Sequence, residues 1–243
     1  MERLVTPNDF SATWYDIFLD PIPSRDTTAE TAFVLRHLPP DRFPSLLDVC
    51  CGPGRHAMHL ARHGYEILGI DKSRWAIDRA QRIVAPRARF LVHDMRDIEA
   101  IPATFDGVLN LWHSFGYFDD ATNYDILRQI NSRLRPGGRF VLDIYNRDSL
   151  VRLPLRREIV KEGVRVVTEY TWSGNRVTCK LTYDGDREGD TFEWRIYSPA
   201  EICEQTRQLG LRLLTACAWF DEELQPGPEH TRMQFVFERA SSN

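Results

Sequence analysis

The chain lacks any run of about 20 apolar residues, the length a membrane-crossing helix needs. Its start, Met1-Glu2-Arg3 and then Pro7-Asn8-Asp9, lacks the apolar stretch of a secretion signal. A cytoplasmic location is therefore expected. An excess of one charge is also missing: 31 basic side chains face 35 acidic ones, for a formal net charge of −4. No broad basic field exists to drive binding to nucleic-acid phosphates. Cysteine is scarce, with Cys50 and Cys51 adjacent, Cys179, Cys203 and Cys217 scattered, and no C-x-x-C pair. That pattern argues against a disulfide framework or a cysteine zinc site. What the chain does have is apolar material, 42% of 243 residues, enough to bury a full core. Its length suits one core with an insertion.

From Ser45 to Tyr145, short apolar runs alternate with helix-like segments. Leu46 to Cys50, Glu66 to Ile70, Arg89 to Val92, Phe105 to Leu111 and Arg139 to Ile144 read as strands. The stretch after Gly54 to His63, Arg74 to Val84 and Tyr124 to Leu134 read as helices. Arg135-Pro136-Gly137-Gly138 stops the last of these, with Arg135 as its C-terminal cation. Such alternation implies a parallel sheet covered on both faces. After Asn146 the pattern changes: Glu158 to Trp172, Arg176 to Tyr183 and Thr191 to Tyr197 alternate as antiparallel strands. They are separated by turns at Ser173-Gly174-Asn175 and Asp184-Gly185-Asp186. Ser198-Pro199 opens a helix to about Gln208, and Leu211 to Trp219 and Met233 to Glu238 form two last strands. Phe10 to Phe18 and Thr28 to His37 are expected to be helical and to act as a lid.

The chemistry concentrates in Leu46-Leu47-Asp48-Val49-Cys50-Cys51-Gly52-Pro53-Gly54-Arg55-His56-Ala57, where a strand ends in a glycine turn that opens a helix. Glycines let backbone approach a ligand closely, and a helix N-terminus offers unpaired N–H groups. About twenty residues on, Asp71 follows the second strand, where a carboxylate accepts hydrogen bonds from both hydroxyls of a ribose. Together these features predict an adenosine-containing cofactor. Gly52-Pro53-Gly54-Arg55-His56-Ala57 formally matches the dinucleotide fingerprint G-x-G-x-x-G/A. Asp48 counts against a pyrophosphate, because an acid just before the loop suits an ammonium or sulfonium better.

Asp48-Val49-Cys50-Cys51-Gly52-Pro53-Gly54 resembles the D-x-G-x-G-x-G signature of class I S-adenosylmethionine-dependent methyltransferases, with Cys50 in place of the usual first glycine. Asp71 matches that family's ribose acid, and His93-Asp94-Met95 matches its adenine-holding position. Asn110-Leu111 matches the end of its fourth strand, and Leu134-Arg135-Pro136-Gly137-Gly138 its L-K/R-P-G-G turn. Trp112-His113-Ser114-Phe115-Gly116-Tyr117-Phe118, Asp143-Ile144-Tyr145-Asn146 and Arg195-Ile196-Tyr197-Ser198 are similar to the small-molecule N-methyltransferase-like branch. In that branch's amino-sugar enzymes the position of Tyr117 often carries histidine.

The resemblance implies an α/β fold, Rossmann-like and doubly wound, with a mostly parallel seven-stranded sheet, an inserted antiparallel β cap and an N-terminal helical lid. The expected division is a lid over 1–40, a cofactor-binding core over 41–150, a cap over 151–197, and a helix and strands over 198–243 that complete the core sheet. The cofactor would be S-adenosyl-L-methionine, leaving as S-adenosyl-L-homocysteine and held by Tyr15, Asp48, Cys50, Gly52, Gly54, Asp71, Lys72, Asp94, Met95 and Leu111. The acceptor would be a small molecule, methylated most simply at an amine nitrogen, with His113 and Tyr117 on its side of the site and no nucleic-acid or membrane partner. Two other readings stay open: an NAD(P)-dependent oxidoreductase using the glycine loop, and a non-catalytic member of the fold that binds a cofactor or partner.

Several residues also carry plainer structural readings. His56, His59 and His63 lie on one helical stripe and read as a polar face rather than a metal site. Cys51 reads as core filling behind the loop. Trp14 and Tyr15 either pack the lid or cover the ligand, and Trp172, Trp194 and Trp219 read as core of the added sheet.

Overall fold

The computed structural model describes residues 7–241 apart from 84 and 186. The start at Met1 to Arg3, the helix end at Val84 and Asp186 of the Asp184-Gly185-Asp186 turn lie outside the described residues. The N-terminal segment forms a short helix α1 (Ala12–Trp14), capped by the Ser11 hydroxyl, that runs on as a π-helical turn, Tyr15–Leu19. Helix α2 (Ser24–His37) begins four residues earlier than its apolar spacing suggests, because Pro23 supplies an extended N-cap.

The core then alternates β1 (Ser45–Val49), α3 (Arg55–Ala61), β2 (Glu66–Asp71), α4 (Arg74–Gln81), β3 (Ala88–Val92), a 3-10 turn at Met95–Ala100, β4 (Phe105–Asn110), α5 (Asp120–Arg133) and β5 (Leu134–Tyr145). After α6 (Arg147–Leu150) come β6 (Arg156–Lys161), β7 (Val164–Ser173), β8 (Arg176–Tyr183) and β9 (Asp190–Arg195). The chain returns to the core through α7 (Pro199–Gln208), β10 (Leu211–Ala218) and β11 (Arg232–Arg239). A capping box between Ser198 and Glu201, with Pro199 in the first turn, starts α7.

Seven strands form one sheet in the order β10-β11-β5-β4-β1-β2-β3. The five from β5 to β3 are parallel, and β11 and β10 join antiparallel. Leu46, Leu47, Val49, Val108 and Leu109 are all fully buried, as strands must be when helices cover both faces. Strand order reverses between β1 and β4, and ligands of open α/β sheets bind in the crevice beyond the strand ends at such a point. The second sheet, β6-β7-β8-β9, is wholly antiparallel. Its buried Val166, Cys179, Leu181 and Phe192 pack with Ile17, and partly buried Phe10, Trp14 and Phe18 join them from the N-terminal segment.

Two sequence expectations need correction here. Glu158 to Trp172 is not one strand but the hairpin β6-β7, reversed at Glu162 (φ 51°) and Gly163 (φ 73°). Both turn residues are left-handed, as a tight hairpin requires, and glutamate is an unusual residue for that position. Arg135 does not cap α5. It sits inside the long β5, Nη1 donating to Asp106 Oδ1 at 2.7 Å, and Arg133 is the cation in the last turn of α5.

Candidate active site

A single cavity of about 720 Å³ runs from the carboxyl ends of β1, β2 and β4 to the inner face of the second sheet. The β1–α3 loop forms its floor. Cys50 takes φ 60°, a left-handed conformation that a residue with a β-carbon adopts only at a cost, and its Sγ lies 3.5 Å from Met95 Sδ. Gly54 (φ 82°) caps α3, and a Cβ there would lie 2.8 Å from the Phe90 ring and from the Met58 methyl. It shapes the loop from behind and is not among the cavity-lining residues, whereas Tyr15, Asp48, Cys50, Gly52, Asp71, Lys72, Asp94, Met95, Leu111, His113 and Tyr117 all are.

The acids at the strand ends behave differently from one another. Asp71 accepts from the Gly52 N–H at 2.9 Å and the Ser73 N–H at 2.8 Å, which ties the glycine loop to the end of β2. Burial raises its pKa in spite of those two bonds. Asp48 is 1% exposed and its Oδ2 has no hydrogen-bond partner. Burial, followed by the neighbouring charge of Asp71, pushes its pKa up to about 7, against the opposing pull of Arg55. Asp94 caps the 3-10 turn and is held by Arg96 at 2.6 Å, whose hydrogen bond keeps its pKa below the ordinary carboxylate value. Lys72 pairs with Asp9 of the N-terminal segment at 2.9 Å.

That segment is fastened on both sides of the cavity. Ser11 donates its N–H and hydroxyl to Asp190, each at 2.8 Å, and the Asn8 side chain bonds the Glu193 backbone. Asp20 meets Arg79 at 2.7 Å on the core side. The Tyr15 ring lies 4.3 Å from Trp75, and Trp14 meets Trp112 edge-on at 5.5 Å.

Facing the loop, Trp112 (φ 64°) and His113 (φ 66°) form a left-handed pair beyond β4. Asp143 holds both, accepting from the Trp112 N–H on its carboxylate at 2.8 Å and from the His113 N–H on its carbonyl at 3.1 Å. Its carboxylate is itself locked by Arg232 at 2.6 Å and Gln234 at 2.7 Å. Arg232 also reaches Glu30 at 2.8 Å, and Glu30 takes a bond from Arg55 at 2.6 Å and one from His56 at 2.7 Å. Burial alone would raise Glu30, but the bond from His56 and the charges of Arg232 and Arg55 hold its carboxyl far below the usual range. The His113 ring stacks on Tyr145 at 3.8 Å, and its Nδ1 has no partner. Burial lowers its pKa to about 4, and burial pushes the Tyr117 phenol far upward.

The histidine stripe is a polar face at His59, half-buried, and His63, exposed, but not at His56, which turns inward. His56 is buried on Glu30, His59 Nδ1 lies 2.8 Å from the Thr31 hydroxyl, and His63 Nδ1 lies 3.0 Å from the His59 carbonyl. Among the described residues no group of His, Cys, Asp and Glu is arranged to hold a metal ion. Trp172 and Trp194 pack against the apolar clusters of the second sheet, and Trp194 also lines the cavity, whereas Trp219, 51% exposed, stands in the turn after β10. Arg157, Lys161 and Tyr170 line the cavity without having been singled out in the sequence. The signal for the first two was alternation along β6, which is hidden until the turn at Glu162 is recognised.

A doubly wound sheet whose glycine loop and strand-end acids open into a covered cavity defines a nucleotide-cofactor enzyme. The Methyltransferase domain family matches residues 46–138, the span from β1 to the turn in β5. The Bacillus subtilis protein YqeM, named as a methyltransferase, is 24% identical over 214 residues, covering 81% of this chain and 85% of that one. An S-adenosylmethionine-dependent methyltransferase from Clostridium acetobutylicum has a similar structure, with a TM-score of 0.80 at 18% identity over 94% of this chain and 97% of that one. The sugar N-methyltransferase KedS8 from Streptoalloteichus sp. superposes with a TM-score of 0.72 at 22% identity, over 99% and 98%. The chain is an S-adenosylmethionine-dependent methyltransferase, with its methyltransferase domain over residues 46–138 and S-adenosylmethionine as its cofactor.

Proposed function

We propose that the protein methylates a neutral amine nitrogen of a small molecule. The cofactor end fits its ligand by charge: Asp48 is buried with an unpartnered oxygen, beside a second carboxylate at Asp71, and both are raised. A ligand carrying ammonium and sulfonium groups relieves that repulsion, whereas a pyrophosphate adds to it. Asp71 would serve the ribose, and Asp94 with Met95 the adenine. When bound, S-adenosylmethionine supplies a methyl group already activated by positive sulfur.

The observation that carries the nitrogen reading is the lack of a working base. Among the described residues at the far end, His113 titrates near 4 and Tyr117 stays protonated. No carboxylate accepts from the His113 ring, because Asp143 is occupied by Arg232, Gln234 and the Trp112 N–H. A hydroxyl acceptor needs its proton removed during attack, whereas a neutral amine attacks directly and sheds its proton afterwards. His113 Nδ1 is suited to accept one amine N–H and orient the lone pair, and the aromatic wall of Trp112, Tyr145 and Trp194 excludes water and favours the uncharged amine. The full-length likeness to a sugar N-methyltransferase agrees with such an acceptor. The test is transfer of labelled methyl from S-adenosylmethionine to matched amines and alcohols. Turnover of amines alone is expected, and turnover confined to alcohols would overturn the assignment.

A further inference from the structure

Strand β6 is the free edge of the second sheet, and its residues alternate between solvent and cavity. On the outward row the charges are balanced: Arg156 lies 3.9 Å from Glu158 and 3.8 Å from Glu169, and Glu158 also takes a bond from Arg165. The other row is Arg157, Ile159 and Lys161, all three lining the cavity at its open rim, where Arg157 and Ile159 stay exposed and Lys161 is half-buried. Among the described residues neither Arg157 nor Lys161 has a carboxylate within ion-pair distance. Lys161 instead sits over the Phe18 ring, with Nζ 4.9 Å from its centroid.

The cavity's own acids are all elsewhere. Asp9, Asp48, Asp71 and Asp94 are the carboxylates that line it, and Asp9 and Asp94 are already paired with Lys72 and Arg96. The cavity is therefore polarised, with acids at the strand ends and two uncompensated cations at the β6 edge. The two cations stand about 13 Å apart along the strand, four residues at about 3.3 Å each. Both side chains are long and flexible, so an anionic group over Ile159 lies within reach of either.

We propose that the methyl acceptor carries an acid group, carboxylate or phosphate, which Arg157 and Lys161 hold at the β6 edge while the amine sits at the His113 end. Arg157 offers a forked donor that suits both oxyanions, and Lys161 acts as a point charge. This rests on the small-molecule reading above and adds a specificity element to it. The acid end anchors the molecule away from the acidic cofactor end, which would repel it, and so sets which end approaches the methyl group.

The test uses the full chain loaded with S-adenosylhomocysteine and three probes: 4-phenylbutyrate, 4-phenylbutyl phosphate and 4-phenyl-1-butanol. Binding is read by calorimetry and by tryptophan fluorescence. At least one acid should bind about tenfold tighter than the alcohol, the scale of one to two partly shielded ion pairs. In Arg157→Gln/Lys161→Gln that preference should shrink to within about threefold, while Arg156→Gln on the outward row keeps it. The stronger acid identifies carboxylate or phosphate as the group. Equal binding of alcohol and acids, or a preference that survives the double substitution, would overturn the proposal. Failure of S-adenosylhomocysteine to bind the unaltered protein would instead remove the methyltransferase reading, so the two failures are distinct.

Discussion

Replacing Asp48 by asparagine isolates the one buried carboxyl oxygen at the cofactor end that has no partner. In the folded chain its pKa is about 7, raised from an ordinary 3.8 by burial and then by Asp71. Between those two values the folded state keeps a proton that the unfolded chain has lost. Stability therefore falls as pH rises through that window and stays low above it. At about 1.4 kcal/mol per pH unit the full penalty is about 4.5 kcal/mol, and relaxation or water entry reduces it to roughly 2 to 4 kcal/mol. Asp48→Asn keeps the shape and removes the charge, so the ligand-free variant should melt above the unaltered protein by roughly 5 to 15 °C at pH 8.5, on the scale for a chain of this size. At pH 4.5 the gap should shrink to about a quarter of that. The order reverses once ligand is added: S-adenosylmethionine binding should weaken by about 1 to 3 kcal/mol, because the stabilised charge pair is gone. Thermal melts at the two pH values, with and without ligand, and calorimetry are the assays. A melting difference that stays constant between pH 4.5 and 8.5 would refute the reasoning.

Three further perturbations address the loop, the acceptor end and the buried ion network. Gly54→Ala forces a Cβ into the Phe90 ring at a left-handed φ of 82° and should cost roughly 2 to 4 kcal/mol in urea unfolding; no loss would mean the loop tolerates a different path. His113→Ala and Tyr117→Phe should lower turnover while S-adenosylhomocysteine affinity stays within about threefold, because contacts confined to the acceptor affect rate rather than cofactor binding. Equal losses in affinity and rate would move these residues to the cofactor end. Glu30→Gln leaves Arg55 without its ion-pair partner and Arg232 with Asp143 alone and should destabilise the fold by about 3 to 5 kcal/mol, with chemical denaturation as the readout. A change under 1 kcal/mol would show that water compensates the arginines.

Much of the fold was legible because local rules and tertiary demands agreed. Strands such as Leu46 to Val49 are apolar throughout because both sheet faces are covered, and Gly52, Gly54 and Asp71 are placed by turn geometry that acts over a few residues. The resemblance across that loop and the ends of the next strands pointed to the same cofactor. The β6-β7 hairpin was not legible, since Glu162 adopts a left-handed turn that its residue type disfavours and only pairing with β7 stabilises. Nor could spacing show that His56 turns inward. Its partner Glu30 is 26 residues away on α2, and a polar residue on a helix is buried only where such a distant counter-group exists. The amino-acid sequence alone determined the order of elements, the glycine loop and the acids at the strand ends, because each depends on neighbours in the chain. Tertiary structure alone decided that Glu30, Asp143 and Arg232 buttress the Trp112-His113 turn, and that Arg157 and Lys161 face a cavity whose acids lie at the opposite end. Charge balance between side chains many residues apart depends on distance in space, which composition and periodicity do not carry.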